Sequence, residues 1–244
     1  MNQTVQRTNF VIVFEGRSGS TFLVEALDSH PDVVAKKEAF AAIRKDITAG
    51  KYDRREQALW LREFFASEPD VRALGFKVKY KDIVEPEETA KVLRDCGAKI
   101  IRLTRMNRIK LVVSLMNGRR LHDETGDWNR YDGKGQAPPL LAPLDEFDAN
   151  LRKVDRRKEA LVQYVAGLSL ETLELYYEDI LQNADDAFGR VCDFLGVKRQ
   201  SLRANTRKNT PDNLSDALAN YEELRAHYVG TPYEAMFAEV DVLK

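Results

Sequence analysis

Short apolar runs alternate along the chain with longer stretches in which apolar residues recur every three or four positions. Phe10–Phe14 (FVIVF) is apolar throughout and reads as a buried strand. The polar turn EGRSGST follows, and then Phe22, Leu23, Ala26 and Leu27 fall on one helical face. The same reading predicts strands over Val33–Ala35, Leu74–Tyr80, Lys99–Thr104 and Ser169–Tyr176. It predicts helices over Arg54–Phe65, Pro86–Cys96, Asn107–Leu121, Asp145–Ala166, Asp185–Leu195 and, in the tail, Ser215–Tyr228. Pro86 suits a helix start and Gly196 a helix end. Residues 122–143 break the period with Gly126, Gly133, Gly135, Pro138, Pro139 and Pro143, which predicts an ordered loop or lid. Strand alternating with helix implies an α/β fold, a central parallel sheet with helices on both faces. No linker or repeat interrupts it, so one domain over residues 1–244 is expected.

Composition narrows the function. Charged residues make up 32% and hydrophobic residues 43% of the 244, and the formal net charge is −1. No global field draws such a chain onto nucleic acid or an anionic membrane, so any anion site is local. Cys96 and Cys192 fit neither a disulfide framework nor a zinc spacing, which points to a reducing compartment and a cytoplasmic protein. No apolar run is long enough for a signal peptide or a membrane span.

Two segments carry candidate chemistry. Gly16-Arg17-Ser18-Gly19-Ser20-Thr21 lies between a buried strand and a helix, at the strand's carboxyl end, where ligands of parallel sheets bind. A helix starting at Ser20 offers free N–H groups and a partial positive charge. Glycines allow close approach, Ser18, Ser20 and Thr21 add hydroxyls, and Arg17 adds a charged fork. The plain alternative is a helix cap after a tight turn. A nucleoside-triphosphate loop requires lysine where Ser20 stands, which argues against ATP or GTP hydrolysis. The cation at Arg17 suits a single 5′-phosphate. The second segment ends a strand at Arg102-Leu103-Thr104-Arg105, with Asn107 and Arg108 next and Ser114 two helical turns on. Arg105 and Ser114 can converge on one anion. Basic residues at a helix start oppose its dipole and call for another reason to be there.

Together these segments resemble the family of sulfotransferases that use 3′-phosphoadenosine 5′-phosphosulfate (PAPS). EGRSGSTFL (Glu15–Leu23) looks like the family's 5′-phosphosulfate loop in its arginine-bearing form, and IIRLTRMNRIKLVVSL (Ile100–Leu115) like its 3′-phosphate motif. The variant is most similar to bacterial enzymes acting on carbohydrates or glycolipids. DSHPDVVAKKEAF (Asp28–Phe40) resembles the segment carrying a catalytic glutamate, LGFKVKY (Leu74–Tyr80) a common core strand, and LYYEDILQNADDAFGRVCDFLGV (Leu175–Val197) a late strand–helix element. The chain departs from the family in the Arg105–Ser114 interval, one residue longer than in many members, and in Asn107. Its tail sequence Arg207-Lys208-Asn209 lacks the glycine of the related basic loop.

The resemblance implies a P-loop-like three-layer sandwich, PAPS as donor, its product PAP (3′-phosphoadenosine 5′-phosphate), and no metal. It assigns Gly16–Thr21, Arg105 and Ser114 to the nucleotide, with Arg17 on the leaving group, and adds Tyr177, Arg207 and Lys208 more weakly. It makes Glu38 the general base, although the polar run Lys36-Lys37-Glu38 alone reads as solvated. Adjacent lysines lower a carboxylate's pKa and burial raises it. His30 and His227 read as surface histidines, and His122, Trp128 and Tyr131 as acceptor-side residues. One of Lys77 and Lys79 can face the sulfonate, or both can face solvent. The expected acceptor is a small molecule, carbohydrate or lipid. The competing readings are a kinase-like phosphotransferase and a non-catalytic nucleotide-binding protein.

Overall fold

The computed structural model describes residues 7–67, 70–128, 138–206 and 210–238. The chain forms two compact units. The first holds Met1–Thr104 and Glu159–Asn205, and the second Arg105–Lys158 and Thr206–Lys244.

The first unit is built on a five-stranded parallel sheet. Its strands are β1 (Thr8–Phe14), β2 (Val33–Lys36), β3 (Ala73–Lys79), β4 (Lys99–Thr104) and β5 (Thr172–Tyr176), in the order β2-β3-β1-β4-β5. The run FVIVF is apolar throughout because β1 is covered on both sides. Phe10, Ile12 and Phe14 join one apolar cluster with Leu23 and Leu27 of α1 (Ser20–Asp28) and Phe188 and Val191 of α8 (Ala184–Leu195). Val11 and Val13 join another with Leu61 of α3 (Glu56–Ala66), Val92 and Leu93 of α4 (Pro86–Asp95) and Leu161 and Val165 of α6 (Leu144–Leu168). Alternate side chains of one strand thus feed two cores, which makes three layers. From β1 the chain turns first toward β2 and β3 and only later to β4 and β5 on the other side. The carboxyl end of β1 is therefore the topological switch point, where an open parallel sheet leaves a crevice.

Two helices were not predicted, α2 (Ala39–Thr48) and α7 (Tyr177–Gln182). Both cysteines are free thiols, as their spacing implied.

The second unit gathers α5 (Arg108–Thr125), the first part of α6, α9 (Leu214–Ala217), α10 (Tyr221–His227) and a 3-10 turn at Glu234–Phe237 around Val112, Met116, Phe147, Leu151, Leu224 and Phe237. Two expectations are corrected here. The predicted lid at 122–143 begins too early, since α5 continues to Thr125 and ends on Gly126 in the left-handed conformation. At its other end Leu140 bridges to Leu218 and Leu144 opens α6. The single tail helix over Ser215–Tyr228 is instead two short ones. Leu140 N–H donates to the Ala217 carbonyl, Ala219 N–H donates to the Leu140 carbonyl, and the Asn220 amide donates to the Ala142 carbonyl. Those tertiary bonds hold the backbone extended between α9 and α10. Among the described residues, no helix is long and apolar enough to cross a membrane.

Candidate active site

The turn after β1 is shaped by its own hydrogen bonds. Ser18 is fully buried, and both its N–H and its hydroxyl donate to the Glu15 carbonyl, at 3.3 and 2.7 Å. The hydroxyl expected to meet an anion is thus spent inside the loop. Arg17 lies in the left-handed region at φ 72°, a strained state for a non-glycine residue and one found at ligand-binding turns. Gly19, at φ 82°, is the N-cap of α1 and carries no side chain to take up the first-turn N–H groups. A Cβ on Gly19 would stand 2.5 Å from Cδ2 of Tyr177, so the ring of Tyr177 lies directly against the loop. Glycine is required here both by backbone angle and by the ring.

Beside this turn, β3 and β2 bring three charges together. Lys77 and Lys79 are two apart on β3 and share a face. Lys77 is 3% exposed, yet its Nζ donates to Thr21 Oγ1 at 2.9 Å and Ser20 Oγ at 3.4 Å and lies 3.3 Å from Glu38 Oε1. Lys79 Nζ donates to Glu38 Oε2 at 2.5 Å. Glu38 follows β2 as the N-cap residue of α2. The ammonium groups stand 5.2 and 5.5 Å from the centre of the Phe14 ring, within cation–π range. Burial pushes the Glu38 carboxyl up, but Lys79 and Lys77 outweigh it and hold the group below its ordinary range. Burial likewise draws the Lys77 ammonium below the usual lysine range, against the pull of Glu38.

The lysines that tune Glu38 are therefore not its neighbours in sequence. Lys36 is exposed and Lys37 pairs with Glu25 at 3.6 Å. Neither Lys77 nor Lys79 points idly to solvent, and Lys77 brings an ammonium to Ser20 and Thr21, where a nucleoside-triphosphate loop carries a lysine of its own. A signal for this was present in the sequence. A strand of a sheet covered on both faces has no solvent for a lysine, so two lysines inside one imply an acid or an anion nearby.

The second motif lies in the other unit, apart from its opening strand. Arg102 on β4 is spent on Glu174, directly opposite on β5, at 2.5 Å. Arg105, half-buried, follows the last residue of β4. Asn107 caps α5 by accepting from Lys110 N–H at 2.8 Å and donates to the Met236 carbonyl at 2.8 Å. Arg108 is 2% exposed, donates to the Arg105 carbonyl at 3.0 Å, and has its Nε 3.6 Å from Asp155. That arginine opposes the helix dipole for a structural reason, since it pins the start of α5 to α6. Ser114 is buried six residues further along α5.

His122 sits in the last turn of α5, with its ring centre 4.6 Å from that of Trp128, so these two acceptor-side candidates are in contact. Tyr131, Arg207 and Lys208 lie outside the described residues. His30 is not a surface histidine. It is buried, its Nδ1 accepts from Asp32 N–H at 3.0 Å and its Nε2 lies 2.9 Å from the Lys198 carbonyl. Those two bonds select the tautomer protonated on Nε2 and give the ring a structural task. His227 lies 3.5 Å from Asp148.

No protein-family profile matches the chain. It is 27% identical over 240 residues to Nodulation protein H of Rhizobium tropici, across 95% of this chain and 93% of that protein. To Nodulation protein H of Rhizobium meliloti it is 24% identical over 247 residues, across 97% of both. Among solved structures it matches a sulfotransferase from Alicyclobacillus acidocaldarius with a TM-score of 0.54 and 21% identity, over 96% of this chain and 95% of that one. The fold is the sulfotransferase fold.

Proposed function

We propose that this chain is a sulfotransferase that moves a sulfonate group from PAPS to a hydroxyl of a carbohydrate, glycolipid or small alcohol, by direct in-line displacement without a metal. The observation that carries this reading is the joint placement of a strained arginine turn, the buried Lys77 ammonium on the hydroxyls of Ser20 and Thr21, and the Glu38 carboxylate beside it. A 5′-phosphosulfate needs cations at its bridging oxygen, and an acceptor hydroxyl needs a base within reach. The acceptor oxygen forms its bond to sulfur as the bond from sulfur to the bridging phosphate oxygen breaks. The acceptor proton passes to Glu38, and the negative charge left on the phosphate of PAP is taken up by Arg17, Lys77 and the N–H groups that open α1. Hydrogen bonds aimed at charge that develops only in the transition state accelerate the step instead of merely tightening binding.

Arg105 and Ser114 are assigned to the 3′-phosphate on their motif, with Arg207 and Lys208 as further candidates. Tyr177, already packed on Gly19, is a candidate for the adenine side. His122 and Trp128, with Tyr131, are assigned to the acceptor. The whole chain acts as one working domain in this reading. The test has two parts. Calorimetry should show PAP binding about 10–100-fold tighter than 5′-AMP, the worth of a charge-assisted contact to the 3′-phosphate. A mass-spectrometric screen with PAPS should yield a sulfated carbohydrate or glycolipid, at a rate that EDTA leaves unchanged. Turnover of magnesium–ATP with no sulfated product from any acceptor would replace this reading with the kinase-like one.

A further inference from the structure

Glu38 presents a conflict. A general base should be free to accept a proton, yet its two oxygens are held by two ammonium groups. The two lysines are not equivalent. Lys77 is anchored three ways, to Thr21, Ser20 and Glu38, with its side chain 4% exposed. Lys79 has Glu38 as its acid partner, is 27% exposed, and lies along the mouth of the loop, where a Cβ on Gly16 would stand 3.7 Å from its Cε. One lysine is built in, and the other rests on the carboxylate at the edge of the turn expected to receive a sulfonated anion.

We propose that Lys79 is a donor-responsive tether on Glu38, holding the carboxylate in the free protein and turning to the sulfonate when the donor binds, so that the carboxylate becomes a stronger proton acceptor only in the loaded enzyme. This rests on the sulfotransferase reading of the loop. Most other charges on the surrounding elements are already engaged, and Lys36 of β2 is exposed. Lys37 pairs with Glu25, Arg44 of α2 lies 3.0 Å from Asp82, and Asp28 of α1 accepts from the Ala35 N–H. Glu15 and Arg17 also have partners. Of the two ammonium groups on Glu38, Lys79 has the less to lose by moving. Its loss from Glu38 and the arrival of a sulfonate both act in one direction, since each disfavours the carboxylate and raises its pKa. Lys79 is a positioning residue in this scheme, and the proton still goes to Glu38.

The experiment compares two acid limbs. In the wild type, the limb of kcat/KM for the donor reports the free protein, and that of kcat/KM for the acceptor at saturating PAPS reports the donor complex. The first should lie below the second by on the order of one pH unit. Lys79→Met should raise the first limb and narrow the gap, and Lys79→Arg should keep the gap at its wild-type width. A readout independent of turnover is proton uptake, measured by calorimetry near pH 5 in buffers of different ionisation enthalpy. PAPS should take up more protons than PAP on binding the wild type, and that excess should shrink in Lys79→Met. Coincident limbs in the wild type overturn the tether, as does a separation in Lys79→Met as wide as that of the wild type with an unchanged unfolding temperature. If neither nucleotide binds, it is the sulfotransferase reading that fails.

Discussion

The two anion motifs differ in how they are built. At the Gly16–Thr21 turn Arg17 is the motif's own charge, and its other partners come from elsewhere in the unit, with Lys77 and Lys79 from β3, Glu38 from the end of β2 and the Tyr177 ring from the start of α7. At the second motif the charges are all local, but two of its arginines serve the fold. Arg102 answers Glu174 across the sheet and Arg108 is buried against Asp155. The first motif thus contains less chemistry than the site that forms around it. The second contains more basic residues than an anion requires. A motif read as a string of letters overstates one case and understates the other, because burial and sheet order decide which cations are available.

The largest expected effect separates the imported residues of the first site from its loop. Glu38→Gln should cut turnover by about 10²–10⁴ while PAP binds normally, since the amide keeps the shape but accepts no proton. Lys77→Met should cost about 10²–10³ in kcat, the usual range for removing one transition-state donor. Steady-state kinetics with isothermal titration of PAP checks both. Lys77→Met with full activity would return the site to the loop alone. On the pH axis, the free protein should hold activity to below the ordinary glutamate range, because Glu38 is held down by Lys79 and Lys77. It is kcat/KM for the donor, which reports the free protein, that falls only as pH drops through that lowered value.

Gly19→Ala should come next. The substitution meets both the left-handed backbone and the Tyr177 ring, so about 1–3 kcal/mol of stability should be lost, with weaker PAP binding. In a Tyr177→Ala background the ring clash vanishes and only the backbone cost should remain, which denaturant melts can resolve. The smallest effects divide the second motif. Arg105→Ala should abolish the preference for PAP over AMP with little change in melting. Arg108→Met should do the reverse and lower stability by about 1–3 kcal/mol, because Asp155 then loses its buried partner. If both variants behave alike, the division of labour within this motif is wrong.

Much of the fold was legible because its signals are local. The all-apolar β1, the alternation of strand and helix, Pro86 at the start of α4 and Gly196 at the end of α8 each state their structure within a few residues. The helix α2 is hard to read because its apolar stripe is only Phe40, Ile43 and Ile47, with Phe40 alone fully buried, and Glu38 offers no capping bond. The tail was misread because the break at Leu218–Asn220 is imposed by Leu140 and Ala142, some eighty residues away. In the candidate site, the turn and Glu38 could be found by motif. That Lys77 reaches Ser20 follows from the adjacency of β3 and β1, which is a fact of sheet order that no local pattern states.

The lysines on β3 also bear on how the sheet assembles. Phe14 lies opposite Lys79 and Val13 opposite Val78, while Phe76 and Val78 pack into the cluster of Phe40, Trp60 and Phe64. A slip of one residue would exchange the two faces, driving two ammonium groups into that aromatic cluster and turning Phe76 and Val78 toward the polar turn. Burying two unpaired charges costs far more than the hydrogen bonds of a misaligned strand can return. The pair thus disfavours a misaligned strand, and a neutral substitute at both positions should leave β3 with a choice of registers.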